Sequence, residues 1–236
     1  MRLALVRQGH AGYTERKGGI DMNKKLLSSL TYGLFVCSAI DGERPVGCII
    51  NTAMQAASEP QLFVFSLNRR NYTREVLARS GRFALNILNE DAPAALFGTF
   101  GFTSGRDTDK FAGFEHDLIE GLPVLKRHTC GALLFQLREL QELGTHTLIV
   151  AELTGAAEGE GGAPMSYAYY HRELKGRSPR SAPTYMEAAT VESDAATSGR
   201  AICTVCGYEH EGAVDTLAED FRCPICGVGR DLFKNG

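Results

Sequence analysis

The sequence has no tryptophan and no apolar run of membrane-spanning length, and its formal net charge is only −3. A charge so close to neutral disfavours a nucleic-acid-binding surface, and no basic run with interleaved aromatic residues contradicts this. The first residues lack the continuous apolar core of a signal peptide. We therefore expect a soluble, cytoplasmic protein with neither a nucleic-acid nor a membrane partner. The 236 residues suffice for one domain with a hydrophobic core and a second, small domain stabilised by a metal ion.

Four of the seven cysteines form two pairs with two residues inside each pair, and the sixteen residues 207–222 separate the pairs. Gly207 and Gly227 permit a tight turn after each pair, which directs backbone N–H groups at the first sulfur. The spacing predicts a tetrahedral four-thiolate site for one metal ion. Two disulfides are the alternative, but nothing else in the chain suggests export. The predicted ligands are Cys203, Cys206, Cys223 and Cys226.

The identity of the metal is left open by spacing alone, because tetrahedral sulfur suits both zinc and iron. Zinc is the commoner occupant of such pairs. Apolar and aromatic residues nevertheless crowd this short segment, which favours a dry shell that tunes a redox site. These residues are Tyr208, Phe221, Ile225, Val228 and Phe233.

The same segment resembles rubredoxin. The matching motifs are Cys-Thr-Val-Cys-Gly-Tyr from Cys203, Leu-Ala-Glu-Asp-Phe-Arg-Cys-Pro-Ile-Cys-Gly from Leu217, and Asp-Leu-Phe from Asp231. The resemblance implies a mononuclear Fe(Cys)₄ centre that carries one electron. Two features depart from the family: the segment between the pairs is shorter than in most rubredoxins, and Phe221 replaces the usual tryptophan. The second change leaves an aromatic side chain in place.

The remaining cysteines lie inside apolar runs. We interpret Cys37, Cys48 and Cys130 as small buried hydrophobic residues in a reducing compartment.

Composition divides the chain into four parts. Residues 1–21 have scattered basic residues and no apolar period, and we expect an untranslated or disordered extension with translation starting at Met22. Residues 22–174 form the predicted main domain. Residues 175–199 are rich in Ser, Pro, Ala and Thr and are predicted to be a linker, with 184–199 as a tether. The metal-binding domain is predicted for 200–236.

The main domain is predicted to be mainly β with short helices. Expected strands cover 32–40, 46–54, 62–67, 83–88, 133–140 and 145–153, and an amphipathic helix covers 23–30. A helix is expected over 72–79, and a second helix is expected to be capped by Asp91 and to run to about Phe100. Many strands with short helices between them favour a closed barrel over βαβ units.

Three polar clusters separate these strands and could hold a phosphate. They are Asn51-Thr52, the run from Asn68 to Thr73, and Ser104-Gly105-Arg106. Arginine offers a fork of donors, and Thr73 at a helix start adds backbone N–H groups. Each cluster could equally be an ordinary capped turn.

Their order resembles the flavin reductase-like FMN-binding split barrels, from about 27 to 170. The resemblance also rests on the run from Phe100 to Gly105, on Asp109-Lys110-Phe111, and on Gly144-Thr-His146. It implies FMN held by ten residues and His146 near the reactive face of the flavin. These ten residues are Asn51, Thr52, Gln55, Ser58, Asn68, Arg69, Asn71, Thr73, Ser104 and Lys110. Gln55 departs from the small hydroxyl residue of many relatives.

Two features also have structural interpretations. His146 at the start of a strand can be structural rather than catalytic. Tyr167, Tyr169 and Tyr170 could cover a flavin ring, but an aromatic stripe is more often part of a core.

The two resemblances together describe the high-molecular-weight rubredoxins. Flavin accepts two electrons from NAD(P)H and can pass single electrons to iron. The resemblance therefore implies an electron-transfer homodimer that supplies a partner such as a flavodiiron O₂ or NO reductase. Two alternatives remain: a free-flavin reductase that supplies reduced FMN, and a flavin store with a structural zinc ribbon.

Overall fold

The computed structural model describes residues 24–174, 182–184, 199–224 and 226–236. The predicted extension 1–21, the Met22 start and most of the predicted linker 175–199 lie outside these ranges. Residues 24–30 belong to a different unit from residues 31–236 and are described separately. Within residues 24–30, Lys24–Ser29 is a short 3₁₀ helix where the sequence predicts an amphipathic helix.

A seven-stranded antiparallel sheet forms the main domain, with strand order β2-β1-β5-β8-β9-β4-β3. Its strands are β1 Phe35–Asp41, β2 Arg44–Ile50, β3 Ala53–Ser58, β4 Gln61–Asn68, β5 Arg82–Leu88, β8 Thr129–Leu143 and β9 His146–Glu158. In the part of the chain that is described, no ladder joins β2 to β3. The sheet is therefore a split barrel and not a closed one.

One predicted strand is two strands. The sequence predicts a continuous strand over 46–54, but β2 ends at Ile50 and β3 begins at Ala53. The chain crosses here from one edge of the sheet to the other. The Thr52 hydroxyl stabilises the crossing by donating to the Ser66 carbonyl at 2.8 Å. Periodicity could not show this break, because the residues on both sides are apolar.

Two short elements were not predicted in the region after the second helix. The hairpin of β6 His116–Ile119 and β7 Leu122–Leu125 occupies a stretch for which the sequence analysis predicts no strand. All four residues of β7 are buried. The Ser38 hydroxyl donates to the Pro123 carbonyl at 2.6 Å, which fixes the hairpin to β1.

Helix α1, Tyr72–Ser80, confirms the predicted helix, and Gly81 ends it with a φ of 69°. Helix α2 is only Ala94–Phe97 and continues into a π-helical turn, Gly98–Phe102. The predicted Asp91 cap is wrong. The Ala92 N–H donates to the Asn89 carbonyl in a turn, so the helix begins only after Pro93.

The core of the barrel is built on phenylalanine. Phe135 is fully buried, and its ring centroid lies 5.0 Å from that of Phe65 and 5.3 Å from that of Phe83. A second cluster combines Phe97, Phe100 and other residues with Tyr170 from helix α3, Tyr167–Arg172, which the sequence analysis did not predict. This second cluster forms one wall of the cavity described below.

The C-terminal module, residues 199–236, has a three-stranded sheet of order β11-β10-β12. Its strands are β10 Arg200–Cys203, β11 Glu209–Glu211 and β12 Phe233–Asn235, with 3₁₀ turns at Val214–Thr216 and Arg230–Leu232. Phe221 packs edge-on against Phe233 with ring centroids 5.4 Å apart. Phe221 therefore places an aromatic side chain in the core of the module, as the sequence predicts. Across the described ranges, no helix is both long and apolar enough to cross a lipid bilayer.

Candidate functional site

The four predicted thiol ligands converge in the C-terminal module. Their sulfur atoms all lie within 4.8 Å of one another. The Sγ atoms of Cys203 and Cys226 are 3.5 Å apart, as are those of Cys206 and Cys223. This spacing fits a single tetrahedral metal ion and accommodates either zinc or iron.

Two matching turns present these sulfurs. The Gly207 N–H donates to the Cys203 carbonyl at 2.9 Å, and the Gly227 N–H donates to the Cys223 carbonyl at 2.8 Å. The two glycines have φ values of 74° and 73°, where a side chain would be strained. The predicted pair of tight turns is confirmed.

The environment of the thiols opposes their charged form in the absence of a cation. The hydrogen bond between the Cys206 and Cys223 thiols, followed by burial, raises the pKa of Cys206 far above its usual value. The pKa of the Cys226 thiol is raised to about 12, and burial is the largest cause. A metal ion that binds here therefore displaces protons from the thiols.

A cavity lies in the barrel, and four of the predicted flavin-binding residues line it. Asn51 comes from the crossing between β2 and β3, Asn68 from the end of β4, Asn71 from the start of α1, and Lys110 from the loop after the π-helical turn. Apolar walls enclose the rest of the cavity. They include Leu34, Ile49, Phe97, Phe100, Phe102, Tyr167 and Tyr170.

Lys110 is a buried cation, with 4 % of its surface exposed. Its ammonium donates to the Gly47 carbonyl at 3.0 Å and to the Phe100 carbonyl at 3.2 Å, not to a carboxylate among the described residues. Burial lowers the pKa of this ammonium, and the nearby Cys48 thiol opposes that effect. A buried positive charge at a cavity wall fits an anionic ligand group, as the phosphate or ring of a flavin would provide.

Asn71 is the cap of helix α1. Its side-chain oxygen accepts from the Thr73 N–H at 2.9 Å and from the Arg74 N–H at 3.4 Å. Thr73 is buried behind it and does not line the cavity. The predicted cluster is therefore both a capped turn and a wall of the cavity, and the two interpretations are compatible.

Arg69 and His146 lie together at the turn between β8 and β9, outside the cavity lining. The Arg69 guanidinium pairs with Glu142 at 2.6 Å and donates to the Gly144 carbonyl at 3.3 Å. Thr145 contacts His146 Nδ1 at 2.8 Å. His146 Nε2 is enclosed and has no hydrogen-bond partner among the described residues. An enclosed ring nitrogen without a partner fits a site completed by a bound group.

The other predicted residues do not line the cavity. Thr52 bonds to Ser66, and the exposed Gln55 side chain donates to the Ala57 carbonyl at 3.2 Å. Ser58 and Ser104 are exposed. The structure of one chain thus divides these predicted site residues into two groups. The cavity group lines the cavity and consists of Asn51, Asn68, Asn71 and Lys110. The outer group does not line it and consists of Thr52, Gln55, Ser58, Arg69, Ser104 and His146.

The sequence analysis missed cavity residues in the predicted linker. Ala182 and Pro183 line the cavity. The next residue, Thr184, forms hydrogen bonds with two residues of the cavity lining. The Asn51 amide donates to the Thr184 hydroxyl at 2.7 Å, and that hydroxyl donates to the Tyr167 hydroxyl at 3.2 Å. Tyr167 and Tyr170 line the cavity as well, and Tyr170 also belongs to the buried core, while cover of a flavin ring stays a prediction. Nothing in a Ser/Pro/Ala/Thr-rich composition distinguishes such residues from a linker.

The non-ligand cysteines are largely structural. Cys37 and Cys48 are buried register partners on β1 and β2, and burial raises the pKa of both thiols. Cys130 is only partly buried, and its thiol donates to the Gly162 carbonyl at 3.5 Å. The prediction of buried cysteines is thus confirmed for Cys37 and Cys48.

Comparison with protein families matches both parts of the chain. The flavin reductase like domain matches residues 27–178, and the rubrerythrin, rubredoxin-like domain matches residues 202–234. Solved structures share the barrel fold. The NADH:FAD oxidoreductase SgcE6 of Streptomyces globisporus has a TM-score of 0.55 at 19% identity, covering 61% of this chain and 85% of that chain. An FMN-binding protein from Thermus thermophilus has a TM-score of 0.51 at 23% identity, with coverages of 68% and 83%.

Two curated relatives extend the comparison. The high molecular weight rubredoxin of Moorella thermoacetica is 39% identical over 227 residues, which cover 90% of this chain and 99% of that protein. The ferric-chelate reductase (NAD(P)H) of Archaeoglobus fulgidus is 30% identical over 70% of this chain and 99% of that protein.

The fold and the two sites define an electron-transfer flavo-rubredoxin, in which a flavin reductase-like oxidoreductase domain is fused to a rubredoxin-like domain with four cysteine ligands. The chain belongs to the high molecular weight rubredoxin family.

Proposed function

We propose that the cavity binds FMN, that NADH or NADPH supplies the electrons, and that the four thiolates hold one iron ion as Fe(Cys)₄. The observation that carries this proposal is the position of the two sites in one chain. Phe102 lines the cavity and also packs against the hydrophobic core around the four thiols. Two redox sites separated by so little protein are suited to exchanging electrons.

The two groups would supply complementary chemistry: a bound flavin takes two electrons as a hydride and can give them up singly, and each ferric ion takes one to become ferrous. One nicotinamide would then support two reductions of the partner protein. The buried ammonium of Lys110 would face the anionic part of the flavin. The amides of Asn51 and Asn68 would orient it, and Tyr167 and Tyr170 would exclude water.

The outer group of residues supports a homodimer. Gln55 and Ser58 lie on β3, an edge strand, and Met54 beside them is 62% exposed. A second copy of the chain seated on this edge would bury Met54 and could bring the outer group to the flavin of its neighbour. In this arrangement Thr52, Arg69, Ser104 and His146 would act on a ligand that they do not reach alone.

The homodimer is tested by light scattering with the variant Met54→Glu and its control Leu118→Glu, which alters an equally exposed leucine on β6. We expect a dimer for the unaltered chain and for the control, and monomers for Met54→Glu. A monomer that retains a full complement of flavin would contradict the homodimer.

The final acceptor is proposed to be a flavodiiron-type O₂ or NO reductase in the cytoplasm. The thiol of Cys226 is the most accessible of the four, since the other three are buried. It therefore marks the side from which a partner protein could take an electron.

Metal and flavin analysis of protein purified without oxygen tests the central proposal. We expect one iron and one FMN per chain, and rapid reduction of the iron after nicotinamide is added. Cys226→Ser should lose transfer to the partner but keep nicotinamide oxidation with an artificial acceptor, and Cys130→Ser is the matched control. A flavin that exchanges freely beside an idle metal would indicate the free-flavin reductase instead, and zinc in place of iron would indicate the structural ribbon.

A further inference from the structure

The metal-binding module packs against the barrel of its own chain at a small apolar surface. Ala94 in helix α2 and Phe102 at the end of the π-helical turn contact the core cluster of the module. That cluster contains the ligands Cys203, Cys206 and Cys223. The contact therefore lies beside the metal site and not at the far end of the module.

Phe102 has two neighbours of functional importance. Phe102 lines the cavity and also packs against the hydrophobic cluster of the module, which contains three of the four thiols. Tyr170 completes the same wall: it lines the cavity and is 4% exposed, with its ring centroid 4.8 Å from that of Phe97. Phe102 thus lies between the cavity and the hydrophobic cluster that contains the thiols.

The four ligands differ in their surroundings. Cys206 is 3% exposed, while Cys226 belongs to the other turn and remains partly exposed. The metal site therefore has a covered side, at Cys206, and an open side, at Cys226.

We propose that the module docks on its own barrel through Ala94 and Phe102, and that Phe102 is a positioning residue that holds the metal site one side chain away from the cavity. In this docked state the metal receives an electron on the covered side, near Cys206, and delivers it on the open side, near Cys226. The docking surface stands on the packing alone, and its role in electron transfer rests on the function proposed above.

The test compares two neighbouring substitutions on one short helix, Ala94→Glu and Ala95→Glu, in the full chain with its metal. Ala94 is partly buried against the module, whereas Ala95 is exposed. Neither residue lines the cavity. We expect Ala94→Glu to destabilise docking because it places an unpaired charge in an apolar contact. Ala95→Glu should behave as the unaltered chain.

Docking is measured by small-angle X-ray scattering, and by hydrogen exchange of the amides of 98–102. In Ala94→Glu the radius of gyration should increase and these amides should exchange faster, with flavin content unchanged. Reduction of iron by prereduced flavin should slow in proportion to the loss of docked protein that the scattering measures, and a penalty of about 1.4 kcal/mol changes the docking equilibrium about tenfold. In the unaltered chain this rate should not depend on protein concentration, as expected for transfer within one chain.

A second pair of variants covers the case in which Ala94→Glu is tolerated. Phe102→Ala should release the module, and Phe102→Leu should retain docking because it keeps an apolar side chain at the contact. Compact scattering and an unaltered rate in both Ala94→Glu and Phe102→Ala would overturn the proposal. So would undocking without slower reduction of the iron. If the docked, unaltered chain shows no flavin-to-iron transfer at all, then the docking surface stands and the proposed function fails.

Discussion

Removal of the metal should unfold the C-terminal module and leave the barrel folded. The described core of the module is small, and half of its six buried residues are metal ligands. The buried residues that are not ligands are Ala201, Leu217 and Phe233. Burying a leucine and a phenylalanine contributes about 1.5–3 kcal/mol each. Binding of structural zinc contributes about 10–16 kcal/mol in zinc-finger peptides, so a metal of similar affinity here is the larger stabilising contribution by a factor of about 2–5.

Hydrogen exchange resolves this effect residue by residue. In the metal-loaded protein the N–H groups of Gly207 and Gly227 are bonded to the Cys203 and Cys223 carbonyls, and they should be protected. After chelation, or in Cys206→Ser, we expect these amides to exchange at rates near those of an unfolded chain. Amides of β5 in the barrel should keep their protection.

Cys130→Ser is the control, because this partly buried cysteine lies in the barrel and is not a ligand. It should leave exchange in the module unchanged. Protection at Gly207 and Gly227 that survives complete removal of the metal would show that the apolar contacts fold the module alone, and the reasoning above would be refuted.

Three further predictions concern the barrel, and all are measured by chemical denaturation. Since burial lowers the pKa of Lys110 below its ordinary value of 10.5, the unfolded chain binds more protons between the two values. The unfolding free energy should therefore rise with pH across that range, an increase that Lys110→Met should lack. Asn71→Ala should cost about 1 kcal/mol through loss of the helix cap, and Asn71→Asp should cost less because it keeps an acceptor. Phe135→Ala should cost about 3–5 kcal/mol because the side chain is fully buried, and a cost below about 1 kcal/mol would mean that the core collapses into the space.

The metal site could be predicted almost completely from the sequence because its geometry is local. Each pair of ligands belongs to one tight turn, and the turn is encoded by two intervening residues and a glycine. The positive φ of Gly207 and Gly227 shows that this requirement is physical and not only a matter of pattern. The module closes when two such turns face each other, which leaves little for the rest of the chain to decide.

The cavity could be predicted only in part, because its residues come from distant segments. Asn51, Asn68 and Lys110 were identified by resemblance, and the structure brings them to one cavity. The break at Asn51 depends on the chain crossing between the two edges of the sheet, and no local period records such a crossing. Helix α3 was missed because six residues with several tyrosines have no helical stripe to detect.

The position of Thr184 bears on how tightly the module needs to dock. Hydrogen bonds with Asn51 and Tyr167 hold Thr184 at the cavity, and the described module begins fifteen residues later, at Gly199. A chain of this length spans at most about 50 Å when fully extended, so an undocked module cannot move far from its own barrel. The local concentration of the module is then in the millimolar range. A contact as small as Ala94 and Phe102, which would not hold two separate proteins together, can suffice under these conditions. A weak contact also opens readily, which suits a carrier that must receive an electron beside the cavity and then present Cys226 to a partner protein.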